Sequence, residues 1–446
     1  MKKILILGGG FGGYYTAKGL EKQLKSGEAE VTLVDVNGML VYQPFLPEVA
    51  GGSIEARHIE LPLRRHLKKT HIVQAKVENI NHAEKTVTVS SRNARTWTIS
   101  YDILVVALGA VTKTFPTPGI AENAVGMKVM EEAVYVRNRI VNNISLASEM
   151  DADDPARKRL LTFAVIGGGF SGMESIAEMF DFASRIIKSE YPNMTPADLN
   201  FHLIEAAPRI MPELSEDRAK WVVKRLSDRG INFHLSTCAD SAIGGLIKTS
   251  TGEEIDADLI IWTAGTKACP ALASSDLPLD PRGRMTCNTK LQVVADGEVV
   301  EDAWGLGDAT AVEDLSGCGL PDNSCAPTAQ HAVRQAKQMA KNLVATLRGQ
   351  EIGDYFHKNA GAVAGLGQHI GTFTSGSKKF GFNGWLAWMG HRFYHGFAMP
   401  SFERKFRIWG DWTGALILGR DTSSTRRTQR PRQFFEDFAV RPKEED

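Results

Sequence analysis

The chain has 446 residues, with 52 Lys+Arg balanced by 52 Asp+Glu, 43% hydrophobic residues, 42 Gly and 5 Cys. At about 150 residues per domain this length predicts two or three domains, and zero net charge argues against a protein devoted to nucleic acid. Five scattered cysteines without a CxxC spacing predict neither a disulfide framework nor a zinc or other metal site, so a reducing interior is expected.

The N-terminal run Ile4-Leu5-Ile6-Leu7 passes straight into glycines and lacks the longer apolar stretch and cleavage site of a signal peptide. An intracellular chain is therefore expected. No apolar segment approaches the ~20 residues that span a bilayer as a helix. Residues 3–35 read as one βαβ unit, with Ile4–Leu7 as a buried strand and Gly8-Gly9-Gly10-Phe11-Gly12-Gly13 as a tight turn. Tyr14 to about Leu24 follows as a helix, then Val31–Val34 as a second strand closed by Asp35. Glycines 8, 10 and 13 satisfy GxGxxG. The first makes the turn, the second lets backbone approach a pyrophosphate, and the third lets helix and sheet pack closely. Asp35 lies 22 residues after Gly13, where an acid accepts hydrogen bonds from a ribose diol.

The pattern recurs at Phe163–Ile166, Gly167-Gly168-Gly169-Phe170-Ser171-Gly172, a helix from Met173 to about Ile187, and a strand Phe201–Ile204 ending at Glu205. Two such units predict two dinucleotides, the requirement for passing a hydride from a nicotinamide to a flavin. Glu205 favours an unphosphorylated ribose, hence NADH over NADPH, because a 2′-phosphate would meet a like charge; Arg209 stands near enough to weaken that preference. Three further apolar strands end in small-residue turns: Tyr101–Ala110, which includes Ala107 and Gly109; Asp258–Thr266, which includes Gly265; and Ala303–Asp308, which closes on Gly-Asp.

With these segments in this order, residues 3–345 resemble the two-dinucleotide-domain flavoproteins of glutathione-reductase-like fold. The resemblance implies an α/β architecture of two Rossmann-like dinucleotide-binding domains, followed by a C-terminal amphipathic helical segment. Residues 1–120 with 280–345 would bind FAD, 155–275 would bind NADH, 346–425 would serve the membrane and acceptor, and 426–446 read as a disordered tail. Gly8, Gly10, Phe11, Gly12, Gly13, Asp35, Ala107, Gly109, Asp308 and Gln330 are the implied FAD residues. Gly167, Gly169, Phe170, Ser171, Gly172, Glu205 and Gly265 are those implied for NADH.

Disulfide reductases of this fold carry a paired redox cysteine motif, absent here, which also weighs against a sulfide:quinone oxidoreductase; Cys318 and Cys325 are the one pair worth testing. Val41–Gly51 and Leu61–Arg64 resemble the type II NADH dehydrogenases, single-subunit NADH:quinone oxidoreductases. So does Pro327-Thr328-Ala329-Gln330-His331-Ala332-Val333-Arg334-Gln335, which opens a helix and resembles that family's quinone-site motif. Gln330 and Gln335 match its first and last glutamines, while Arg334 replaces the middle one; Arg334 either donates to a quinone carbonyl or marks a different acceptor. Glu174, in the first turn of the second fingerprint helix, matches the glutamate that the family places near flavin and nicotinamide. The resemblance gives it a role in positioning the nicotinamide or relaying protons; the plainer reading is a first-turn carboxylate favoured by the helix dipole. Glu178, one turn on, reads as a solvated or paired helix residue.

Between Phe380 and Trp412, 11 of 33 residues are aromatic, against 8% overall. Leu386, Met389, Phe393 and Phe397 recur at helical spacing, and Pro400-Ser401 restarts the chain into a second helix with Phe402, Phe406 and Trp409. Residues 378–432 hold 11 Lys/Arg and 3 Asp/Glu, net +8, which leaves −8 elsewhere. Aromatic stripes backed by cations predict helices lying in a membrane interface over residues 380–420, at the cytoplasmic face of the cell membrane. A dimerisation helix or a lid on the core is the competing reading. The expected function is hydride transfer from NADH to FAD and two electrons on to a quinone, without proton pumping, with a homodimer kept open as the assembly. The rivals are a soluble flavoprotein reductase serving a protein such as a ferredoxin, and a flavin-binding redox sensor.

Overall fold

The computed structural model describes residues 1–376 and 380–423. Its first sheet has eight strands in the order Thr310–Val312, Met285–Cys287, Gln292–Ala295, Glu298–Gly305, Ile103–Val106, Lys2–Leu7, Ala29–Asp35 and His71–Gln74. The last five run parallel. Ile4–Leu7 and Ile103–Val106 are buried throughout, as expected of strands covered on both faces. Helix Phe11–Gln23 lies beside helix Ala329–Leu347, and a Cβ on Gly19 would come within 2.6 Å of the Ala340 methyl, so the glycine sets that close approach.

A second, five-stranded parallel sheet runs Ala124–Val125, Leu259–Trp262, Thr162–Ile166, Asn200–Glu205, Ile231–Leu235. Helix Phe170–Glu190 follows its central strand. The two Rossmann-like folds read from the sequence are therefore present, each with a three-stranded antiparallel insertion, 76–100 in the first and 239–256 in the second. A short antiparallel ribbon of Ala110–Thr112 and Thr266–Ala268 joins the halves just after Gly109 and Gly265, both at positive φ (66° and 123°).

The C-terminal part is not helical alone. Strands Gly361–Gly365, Gly371–Ser375 and Gly381–Asn383 form an antiparallel sheet beneath helix Trp385–Ala398, and helix Phe402–Ile417 follows. The glycines make room for that helix: a Cβ on Gly371 would come within 2.7 Å of the Trp388 Cα. The expected tail beyond Ser424 lies outside the described residues.

Buried charges fasten this segment to the body. Arg420 donates from Nη1 to the carbonyls of Gly51 (2.7 Å) and Glu178 (3.1 Å), and its Nη2 pairs with Glu178 Oε2 at 2.8 Å. Asp181 lies 3.9 Å from the same guanidinium and also pairs with Arg229. Of the two expected readings, solvated or paired, Glu178 is therefore the paired one, and it is buried. Arg392 lies 4.0 Å from the Trp388 ring centroid and 5.3 Å from that of Trp412, with Glu48 3.7 Å away. Breaking one side of a buried pair strands the other charge, so Arg420→Ala should cost about 3–5 kcal/mol in chemical denaturation. An Arg420→Ala loss within about 0.5 kcal/mol, the range of an ordinary surface substitution, would show the pair to be idle.

Candidate active site

The two glycine turns have matching geometry. Gly8 and Gly167 take φ of 99° and 112°, and added Cβ atoms would strike the backbone of Ala107 and of Thr263 respectively. A Cβ on Gly13 or Gly172 would fall on the carbonyl oxygen of Gly8 or Gly167, so helix and strand touch there as the motif requires. At Gly10 and Gly169 a Cβ would meet open space, and neither following helix carries a side-chain cap. Each therefore presents helix N-terminal amides beside a close, unobstructed approach, at Phe11–Gly13 and at Phe170–Gly172, the arrangement that accepts a pyrophosphate. Gly12 is buried against Leu306, while Ser171 is exposed.

Each second strand ends in a carboxylate tied to its own turn. Asp35 accepts from the N–H groups of Gly9 (2.9 Å), Asn37 (3.0 Å) and Gly38 (2.7 Å). Glu205 accepts from Gly168 and Ala207. Backbone donors thus fix both acids at the mouths of their turns. Arg209 is occupied by the carbonyls of Pro212 (2.6 Å) and Leu214 (3.3 Å).

Asp308 lies in the middle of a short helical turn, Gly307–Ala309, with its side chain about one-fifth exposed and Lys128 Nζ 3.8 Å away. Burial pushes its pKa up, and the Lys128 charge offsets only part of that rise. The Gln335 side-chain oxygen accepts from the Gly307 N–H at 2.8 Å, and Gln335 itself is buried. Its place is thus beneath the Gly-Asp turn. Gln330 donates to the Gly361 carbonyl (3.1 Å) and Arg334 to the Gln330 carbonyl (3.1 Å), so these two share the outer face of the helix start. Burial, with the charges of Arg334 and His331, pushes His357 down to about 4.

Glu174 Oε1 accepts from the Gly365 N–H at 3.1 Å and lies 3.4 Å from His391 Nε2. The other side of that imidazole faces Glu48, Nδ1 to Oε1 at 3.9 Å, while Glu48 Oε2 takes the Trp412 indole N–H at 2.6 Å. Segments from the Val41–Gly51 loop, the second fingerprint helix and the C-terminal helices thus converge on one buried polar cluster.

The family profile for pyridine nucleotide-disulphide oxidoreductases matches residues 2–336. The chain belongs to this family. Within it, the chain is 27% identical to a probable NADH dehydrogenase of Dictyostelium discoideum, over 95% of this chain and 91% of the relative. It is 28% identical to the type II NADH:quinone oxidoreductase Ndh of Mycobacterium tuberculosis, over 96% and 89%. Its fold matches that of Plasmodium falciparum NDH2 solved with NADH, with TM-score 0.85 and 18% identity, over 95% of this chain and 100% of the other. The likeness to type II NADH dehydrogenases read from the sequence is borne out. The disulphide chemistry in the family's name finds no disulfide here: all five cysteines are free, Cys318 exposed and Cys325 buried.

Sequence reasoning missed Glu48, Lys128, His391, Arg392 and His395. A signal existed for Glu48, a lone acid inside the apolar run Leu46–Ala50, and for His391-Arg392, polar residues inside an aromatic stripe. For Gly13→Ala, the methyl on the Gly8 carbonyl should force helix and strand apart. Flavin absorbance retained through purification should fall to a small fraction of wild type; full retention would show that this close contact does not shape the turn.

Proposed function

We propose that this protein is a peripheral-membrane, FAD-dependent NADH:quinone oxidoreductase that does not pump protons. The observation that carries the reading is an inversion in the C-terminal helices. In helix Trp385–Ala398 the polar His391 and Arg392 are buried, whereas Leu386, Phe393 and Phe397 are 63%, 44% and 64% exposed. In helix Phe402–Ile417 the outward residues are Phe402, Phe406, Leu416 and Ile417, with Leu418 just beyond. Such a contiguous apolar face marks a surface that docks against apolar surroundings. Its other side reaches Glu174 through His391, so one short segment adjoins both a lipid-facing surface and the nucleotide site.

The basic charge is redistributed relative to the sequence count. Arg392 and Arg420 are buried and paired, leaving Arg404, Lys405 and Arg407 on the described part of the helices. Arg57 and Arg65 of the body join them, Arg65 through Glu403 and Arg57 through its carbonyl, which accepts from Arg404. This basic rim around an aromatic face suits anionic lipid, and we place it at the cytoplasmic face of the cell membrane. Among the described residues no helix is long and apolar enough to cross a membrane.

Gly8, Gly10, Phe11, Gly12 and Gly13 with Asp35, Ala107, Gly109, Asp308 and Gln330 would hold FAD, on residues 1–120 and 280–345. The open approach at Gly10 fits its pyrophosphate. Gly167, Gly169, Phe170, Ser171 and Gly172 with Glu205 and Gly265, on residues 155–275, would hold NADH. Two restraints support NADH over NADPH: the Glu205 carboxylate is fixed at its turn, and Arg209 is engaged elsewhere. When bound, FAD supplies the ring system through which two electrons pass from nicotinamide to acceptor. The chain's own work is to orient the nucleotide on the second fingerprint, exclude water under the C-terminal segment and manage protons at Glu174. Gln330 and Arg334 would meet the quinone, with Gln335 supporting the Gly-Asp turn from beneath.

Turnover with a panel of acceptors tests the reaction. NADH should bleach the bound flavin and a short-chain quinone should restore it. Bleaching reversed by a ferredoxin alone would favour the soluble reductase, and no bleaching the sensor. Co-sedimentation with anionic vesicles tests the surface: Phe402→Glu/Phe406→Glu/Ile417→Glu should weaken binding by more than about tenfold, since each buried ring or branched chain is worth roughly 1.5–3 kcal/mol. Unchanged binding would remove the docking face.

A further inference from the structure

Reduction of a quinone by NADH takes up one proton: NADH + H⁺ + quinone gives NAD⁺ + quinol. The hydride brings both electrons and one hydrogen, so the second hydrogen must reach the quinone from solvent or from a protein group. A buried imidazole stands directly behind Glu174. His391 is 3% exposed, and the charged or titratable groups facing it come from three elements. Glu174 approaches from the second fingerprint helix (3.4 Å), Glu48 from the Leu46–Ala50 turn (3.9 Å), and Arg392 and His395 from its own helix. Strands Gly361–Gly365 and Gly371–Ser375, packed beneath, contain no titratable side chain, and helix Phe402–Ile417 contributes the Trp412 indole on Glu48. A Cβ on Gly365 would come within 2.9 Å of His391 Nδ1, so the strand fixes the ring.

We propose that His391 stores the proton consumed in quinol formation and passes it through the Glu174 carboxylate. The inference rests on the NADH:quinone reading above. The Nε2–H bond of His391 breaks as an O–H bond forms on Glu174, and that proton goes on to a quinone oxygen. Neutral His391 then regains a proton from solvent through Glu174, whose side chain is 13% exposed. Burial opposes the imidazolium, but the hydrogen bond to Glu174 and the two carboxylate charges raise its pKa overall. His395, with its ring centroid 4.6 Å away, is pushed well below the usual range by burial and by the His391 charge. It is hydrogen-bonded to the Tyr42 hydroxyl at 3.0 Å, so of the two rings His391 is the one favoured to take the additional proton. In this account His391 is a positioning and proton-storing residue acting through Glu174.

The test uses the flavin-loaded enzyme, with anaerobic stopped flow of the two half-reactions across pH. Steady-state turnover with a short-chain quinone is compared with turnover on ferricyanide, which takes electrons without protons. A protonated donor is required, so the wild-type quinone step should fall about tenfold per pH unit above the raised pKa of His391. In His391→Gln this alkaline limb should vanish, and at pH 7 the quinone step should lose at least about fivefold more than flavin bleaching by NADH or ferricyanide turnover. Glu48→Gln keeps the imidazole but removes one of its carboxylates, so the limb should move to lower pH. It serves as the test if His391→Gln does not retain flavin. A quinone step with the wild-type limb in His391→Gln, or an unmoved limb in Glu48→Gln, would overturn the proposal. Wild-type enzyme that reduces ferricyanide but no quinone would overturn instead the reading on which it rests.

Discussion

The architecture turns on a joint made of buried charge. Glu48, Glu174, Glu178 and Asp181 meet His391, Arg392, Arg229 and Arg420 where the second dinucleotide fold, the Val41–Gly51 loop and the C-terminal helices come together. Burying so many ions adds little net stability, because desolvation offsets most of the Coulombic attraction. What it supplies is a single permitted arrangement. Any sliding of helix Trp385–Ala398 would strand Arg392 or His391 away from its carboxylates, at several kcal/mol. Because the side of that helix bearing Trp388, His391 and Arg392 is engaged in the joint, Leu386, Phe393 and Phe397 face outward.

That division explains how one segment serves two environments. A helix in a globular protein ordinarily buries its apolar stripe and leaves its charges in water. Here His391 and Arg392 are buried while Leu386, Phe393 and Phe397 are exposed, and pairing rather than hydration offsets the buried charge. The consequence is a geometric link between the proposed lipid-facing surface and the carboxylate beside the second fingerprint. On the proposed function, a membrane-soluble acceptor and a water-soluble nucleotide would meet there, and among the described residues no helix is long and apolar enough to cross a membrane.

Much of the fold was legible in the sequence because its determinants are local. Gly8, Gly13, Gly167 and Gly172 are demanded by backbone geometry within a few residues of themselves, and the flanking Val/Ile/Leu runs read as strands buried on both faces. The aromatic stripe at 385–409 was legible for the same reason, as helical periodicity. The joint was not, since the partners it brings together come from segments far apart in the chain, as Glu178 and Arg420 do. Nor was the sheet of Gly361–Gly365, Gly371–Ser375 and Gly381–Asn383, whose strands are short and each begin on glycine, so their Val, Thr and Phe residues never build a long alternating run. Gln335 shows the limit of motif matching: its helix position is as the motif suggests, yet its oxygen is committed to the Gly307 amide.

The most direct check of the joint is a double-mutant cycle between Glu178 and Arg420, using Glu178→Gln, Arg420→Met and the pair, read by chemical denaturation of the flavin-loaded protein. If the pair locks the C-terminal helices to the second dinucleotide fold, the coupling energy should be at least about 2 kcal/mol, with the double variant recovering much of the loss of either single one. Additive effects, with a coupling below about 0.5 kcal/mol, would contradict the account.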